Sequence, residues 1–261
     1  MTILTDDRRT RRAMALPARH FYFHMALACA AVAFLGFAPT YFVPLARGSL
    51  PVTPSMIHIH GLVFFAWSLF FVFQAWLGAS GQIGRHRSVG IVGVSLATAM
   101  TIFGFLVGVV SMQRAAAIGQ KDAGIAFAIV PWGGILFFAV VFAIGIAMAR
   151  RGEVHKRLML LAGISILDAA VARWFLTFLA PPGPPGPPPV AVTVAPALVA
   201  YLLLVAAIVH DWRTRGKPHS VYVIGGIVLV AIKLLSVPIS ATDTWHAFAG
   251  GILALAQSPI I

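Results

Sequence analysis

The chain has 261 residues, of which 60% are hydrophobic and only 10% charged, and its net charge is +12. That proportion of apolar side chains exceeds what a soluble domain of this length can bury, so the composition excludes a water-soluble globular enzyme and makes the lipid bilayer the solvent for most of the chain. The positive balance does not point to nucleic acid, because the basic residues lie in connectors between apolar runs.

In chain order, residues 1–19 are polar and arginine-rich and read as a basic cytoplasmic tail without a cleavable signal peptide. Seven apolar runs follow, at 20–46, 52–79, 88–112, 123–149, 156–180, 190–210 and 219–240. Each is of a length to cross a hydrocarbon core of about 30 Å as a helix. The expected fold is therefore all-α, a polytopic bundle of seven transmembrane helices over residues 20–240. Residues 241–261, with Trp245 and Phe248 and a break at Gly250-Gly251, read as a short interfacial tail rather than an eighth span.

Lys and Arg set the expected orientation, since basic residues in short loops stay in the cytoplasm. Fourteen of them fall at one end of the runs: Arg8, Arg9, Arg11, Arg12, Arg19, Arg85, Arg87, Arg150, Arg151, Lys156, Arg157, Arg213, Arg215 and Lys217. Only Arg47, Arg114 and Lys121 fall at the other, which predicts the N-terminus inside and the C-terminus outside. On the outer side, residues 181–189 are prolines interrupted by Gly183 and Gly186, and should form a stiff polyproline-like strut. The single cysteine, Cys29, has no partner for an intramolecular disulfide.

The fifth run carries Asp168 and Arg173, and the seventh carries Lys233. A charge inside a spanning helix is costly unless it finds a partner or water, so these residues should face the bundle interior. Counted from the cytoplasmic ends at the rise of a helix, Asp168 lies about 18 Å deep, Lys233 about 21 Å, Arg173 about 26 Å and His60 about 28 Å. Asp168 and Lys233, opposite in charge and similar in depth, are expected to form an interhelical ion pair. Arg173 and His60 are then left for an outward-facing polar pocket, with Asp243 and His246 of the tail as further contributors. Snorkelling of Arg173 to the outer headgroups competes with that reading. The four residues His60, Asp168, Arg173 and Lys233 form one candidate ligand site, for a small anionic or polar molecule.

Histidine is the second pattern. His20, His24, His86, His155 and His219 stand at the cytoplasmic starts of odd-numbered helices, and His58 and His60 lie in the second span. Neutral imidazole is a common ligand of transition metals and of haem iron, which makes His24, His58, His60, His86, His155 and His219 candidate ligands for haem or a transition metal. Imidazoles hydrogen-bonded at the headgroup level, with no cofactor, are the competing reading. Two residues apart on a helix point about 200° from each other, so His58 and His60 cannot both face the interior squarely. The stripe of His60 with Phe64, Trp67, Phe71 and Gln74 is the more polar, which favours His60 as the inward one. Gly104 and Gly108 form a small-residue face for close helix contact. The six tryptophans read mostly as an interface belt.

His155-Lys156-Arg157-Leu158-Met159, His86-Arg87-Ser88-Val89-Gly90 with Arg85 before it, and His58-Ile59-His60 together resemble uncharacterised bacterial multipass membrane families, some linked to cytochrome oxidase biogenesis or to b-type haem proteins. The resemblance implies a bacterial inner-membrane protein and singles out His58, His60, His86 and His155. Two functions follow as expectations: a redox or cofactor-handling protein holding haem or a metal through histidines, and a transporter or receptor-like binder using the charged residues. A retinal Schiff base on Lys233, with Asp168 as counter-ion, is a third and more remote one.

Overall fold

The computed structural model describes residues 4–180, 183 and 186–257, with side-chain surroundings from His20 onward. The chain is 85% helical, with no strand among the described residues. Among the described residues seven helices are long and apolar enough to span a membrane: α1 His20–Ala46, α2 Ser55–Ala79, α3 Ile83–Ala117, α4 Lys121–Ala147, α5 Gly152–Leu179, α6 Val190–Arg215 and α7 Ser220–Ile239. An eighth, shorter helix, α8, covers Asp243–Gln257. The helix that contains the first span begins at Leu4, within the stretch read as a basic tail. Part of the proline strut expected over 181–189 lies outside the described residues.

Bilayer-facing surface is visible as exposed aliphatic side chains along the spans, among them Leu62, Ile91, Leu202, Ile224 and Ile227, each more than half exposed. Helix α5 is the axis of the bundle. More than half of its most apolar stretch is buried (56%), against 6% in α2. It packs on α1, α4, α6 and α7. Glycines make those approaches possible: a Cβ on Gly36 of α1 would meet the Ala170 carbonyl at 2.5 Å, and one on Gly225 of α7 would collide with Leu161. The Gly104–Gly108 face does receive a neighbour, with Ile135 over Gly104 and Trp132 over Gly108, both from α4.

Trp67 and Trp132 depart from the expected interface belt. Both are core residues, 4% and 5% exposed, and Trp132 donates its indole N–H to the Phe105 carbonyl. Burial is possible for Trp132 because Gly108 leaves room for its ring and α3 supplies an acceptor. Helix α8 lies on the ends of α3 and α4, its Ala249 and Leu253 packed with Met112, Ile125 and Trp132. Trp245 anchors it by donating to the Ile125 carbonyl at 2.8 Å.

Regular helical hydrogen bonding is interrupted within three consecutive spans. In α4 the interruption falls at Ala128, three residues before Pro131, whose ring nitrogen has no hydrogen to donate. In α5 it falls at Ile166–Leu167, where Ser165 turns its hydroxyl back to the Ala162 carbonyl and the Leu167 N–H bonds Ile164 in a tighter turn. In α6 it falls at Tyr201. Irregular backbone at membrane depth is tolerated where protein or a water-holding cavity satisfies it.

Candidate functional site

The three interruptions meet around one ion pair. Lys233 Nζ of α7 donates to Asp168 Oδ2 of α5 at 2.6 Å, with the side chains 6% and 17% exposed. Asp168 is the first residue of the helical segment that restarts after the α5 break. Ser165 on the other side of that break, Tyr201 at the α6 break, Ser236 one turn beyond Lys233, and Ile129 and Val130 just past the α4 break share a cavity with the pair. Its volume is about 10 Å³, enough for one water and too small for a solute. A second cavity of about 10 Å³ lies behind Ile166 and Leu167, against Cys29, Trp67 and Phe71. Polar groups, a compensated charge and water-sized space thus sit at mid-membrane, at the level where three helices lack regular bonding.

The four residues expected to make one ligand site are divided between two. Arg173 and His60 do not line the cavity of Asp168 and Lys233. Arg173 turns toward α1, with its guanidinium 4.2 Å from the Phe37 ring centre and Nη1 3.5 Å from the Thr40 hydroxyl. His60 of α2 stacks on Phe64 and lies within electrostatic reach of Arg173. Arg173 follows Asp168 by five positions, and about 100° of rotation per residue carries their side chains to different faces of α5. Asp243 and His246 belong to α8, where His246 Nε2 donates to the Ser240 carbonyl at 3.0 Å.

The histidines proposed as ligands do not gather into one set. Among the described residues no group of three or more His, Cys, Asp or Glu side chains comes together as a metal site. His24 is exposed on α1 beside His20, their rings 6.3 Å apart. His58 shares a 2.7 Å hydrogen bond with the Tyr41 hydroxyl. His219 accepts the Val221 N–H through Nδ1 and caps α7. Burial and the nearby Arg157 and Arg215 hold its imidazole below the usual pKa of 6.5. His86 of α3 and His155 of α5 do meet, with ring centres 6.0 Å apart and planes nearly perpendicular. Nδ1–H of each donates to a backbone carbonyl, Gln74 at 3.3 Å and Gly145 at 2.8 Å. That tautomer leaves the Nε2 lone pairs of both rings for other use.

One further cluster escaped the sequence reading. At the arginine-rich end, Arg157 of α5 is 2% exposed and forms a two-pronged bond with Asp211 of α6, which is fully buried. Its third prong reaches the carbonyl and carboxylate of Glu153 at 2.7 Å. Tyr22 of α1 lies under both Lys156 and Arg157, and the His219 backbone N–H also faces Asp211. Four helices are tied together here by one guanidinium. The available signal was Asp211 itself, a lone carboxylate inside a basic connector of a chain with seven acids in all.

No family model matches the chain, and neither the curated proteins nor the solved structures include one similar to it.

Proposed function

We propose that the chain is a transport protein of the bacterial cytoplasmic membrane, N-terminus inside, whose solute or ion engages the Asp168–Lys233 pair at mid-membrane. One observation carries the reading: α4, α5 and α6 lose regular bonding around that pair and its cavity. Discontinuous helices at the bilayer midplane are the usual construction of transporter sites, since they free backbone groups for a solute and supply points of flexure. The cavity admits a water alone, which fits an occluded conformation. Arg157, Asp211 and Glu153 then close the cytoplasmic end by joining α5 to α6. A polar or anionic solute would compete with Asp168 for Lys233, and a proton would release Lys233 from Asp168; either event loosens α5 from α7.

Alternating access is testable without knowing the solute. In a Cys29→Ser background, a cysteine replacing Ser236 reports the cavity to a membrane-impermeant thiol reagent applied to oriented vesicles. Transport requires labelling from each side, with Asp168→Asn shifting the ratio. Labelling from one side only would leave a receptor-like binder, and labelling from neither would end the reading.

His86 and His155 support a second function, the holding of haem or a transition metal, because their Nδ1 atoms are anchored and their Nε2 atoms are not. A Soret band or a stoichiometric metal that disappears in both His86→Ala and His155→Ala would favour it over transport. A colourless, metal-free protein that is stable and competent would remove it. Retinal on Lys233 has less support, because the amine is engaged by Asp168 and the space beside it takes no polyene.

A further inference from the structure

The corner where α1, α2 and α5 meet, at the arginine-poor end, holds a cation without an anion. Among the described residues no carboxylate pairs with Arg173: Glu153, Asp168 and Asp211 are engaged by other cations, and Asp122 and Asp243 form no ion pair. Arg173 has a 3.5 Å contact with Thr40, at the limit of a hydrogen bond, and the face of Phe37. Its Nε is buried without an acceptor. Within electrostatic reach of it, His60 presents a buried Nδ1 without a partner, while its ring also faces the Phe103 carbonyl. With the hydrogen on the nitrogen that serves Phe103, Nδ1 is a lone pair awaiting a donor.

The backbone around this corner is specialised too. Residues Ala38–Phe42 of α1 and Phe175–Leu179 of α5 are both π-helical turns, a rare form that widens a helix and recurs at functional sites. The contact of Gly36 with Ala170 holds α1 and α5 together one turn below, and Trp174 donates to the Leu35 carbonyl, so the direction of Arg173 is set by packing. Its guanidinium is held over the Phe37 ring and beside Thr40, both of α1.

We infer that Arg173 and His60 form a site for a phosphate group with a hydroxyl beside it, the oxyanion on the Arg173 fork and the O–H donated to His60 Nδ1. The planar guanidinium with open N–H groups suits a tetrahedral oxyanion, and the lone pair of His60 selects one with an O–H beside it. Two molecules bring a phosphate oxyanion and a hydroxyl together at a membrane surface: inorganic phosphate, which keeps a P–OH near neutral pH, and phosphatidylglycerol, whose phosphodiester has no P–OH but whose headgroup glycerol carries hydroxyls. The site is separate from the Asp168–Lys233 cavity and stands whether or not that cavity transports.

The test uses the full chain, delipidated in detergent for one arm and in nanodiscs for the other. Inorganic phosphate is titrated at pH 6.5 while thermal unfolding is followed. In parallel, native mass spectrometry counts lipid retained from phosphatidylcholine nanodiscs with and without phosphatidylglycerol. Arg173→Gln should weaken binding at least about tenfold, equivalent to roughly 1.4 kcal/mol, and Arg173→Lys should recover part of it. His60→Ala should weaken phosphate but leave sulfate, which has no O–H at this pH, unchanged. Stabilisation by phosphate alone identifies a free anion, and selective retention of phosphatidylglycerol identifies a lipid site. Binding of neither, or binding indifferent to Arg173→Gln in a variant that remains monodisperse, overturns the site. Equal affinity for sulfate and phosphate in the unmodified protein overturns the role of His60.

Discussion

Replacing Lys233 with Met leaves the Asp168 carboxylate at mid-membrane with no cation, and the size of the loss follows from the geometry. At 2.6 Å and an effective dielectric of about 20, the attraction is roughly 6 kcal/mol, most of which offsets the removal of two ions from water. Each single replacement, Lys233→Met or Asp168→Asn, leaves the remaining charge buried without its partner. Each single variant should therefore lose about 3–5 kcal/mol. The 17% exposure of Asp168 and the water-sized cavity beside it place Lys233→Met at the lower end. The double variant, with neither charge left, should lose less than either single one. Reversible unfolding in bicelles, followed by circular dichroism against denaturant, measures all four corners of the cycle. Losses that add to within about 0.5 kcal/mol would refute the coupling.

Arg157→Gln should destabilise by about 3–5 kcal/mol because it strands buried Asp211, whereas Glu153→Gln, at a side chain 63% exposed, should cost under about 1 kcal/mol in the same unfolding assay. His219 is held below its usual 6.5, so the folded state binds this proton less tightly than the unfolded chain does. Its contribution is whole above about pH 6.5 and is lost as pH falls through that value toward the lowered one. Melting curves at pH 5–7.5 should show a shallower acid-side decline in His219→Asn, which retains a capping side chain; parallel declines would refute the assignment. Gly108→Leu should drive a side chain into Trp132 and cost about 1–3 kcal/mol, with a blue-shifted or quenched tryptophan signal as the check. Cysteines at Ala117, Pro185 and Gly250 should be labelled from the outer side alone, and cytoplasmic labelling of any would reverse the topology.

Much of the architecture was legible because the bilayer imposes a length on the chain. A run of about 20 apolar residues crosses as a helix with every backbone group paired within the segment, so seven such runs mean seven spans. The same fixed rise per residue turns sequence position into depth, which is why Asp168 and Lys233 could be matched before their helices were placed side by side. Depth says nothing about direction around the axis. Asp168 and Arg173 share a helix, but its packing turns one toward α7 and the other toward α1, dividing an expected single site in two. Histidines at similar depth were equally indistinguishable until the bundle brought His86 to His155 and left His24 at the surface. The interruption at Ala128 has Pro131 within a turn, whereas those at Ile166–Leu167 and Tyr201 follow Gly163 and Pro196 by three and five residues, spacings that do not by themselves place a break. They depend on neighbours from other helices to satisfy or enclose the irregular backbone. Arg157 and Asp211 lie 54 residues apart, in segments that read as solvated basic ends, and a buried guanidinium among them exists because α1, α5, α6 and α7 close around it. Span number and charge depth are one-dimensional properties of a helix in a slab, whereas partner choice depends on rotation and packing, which the tertiary structure alone decides.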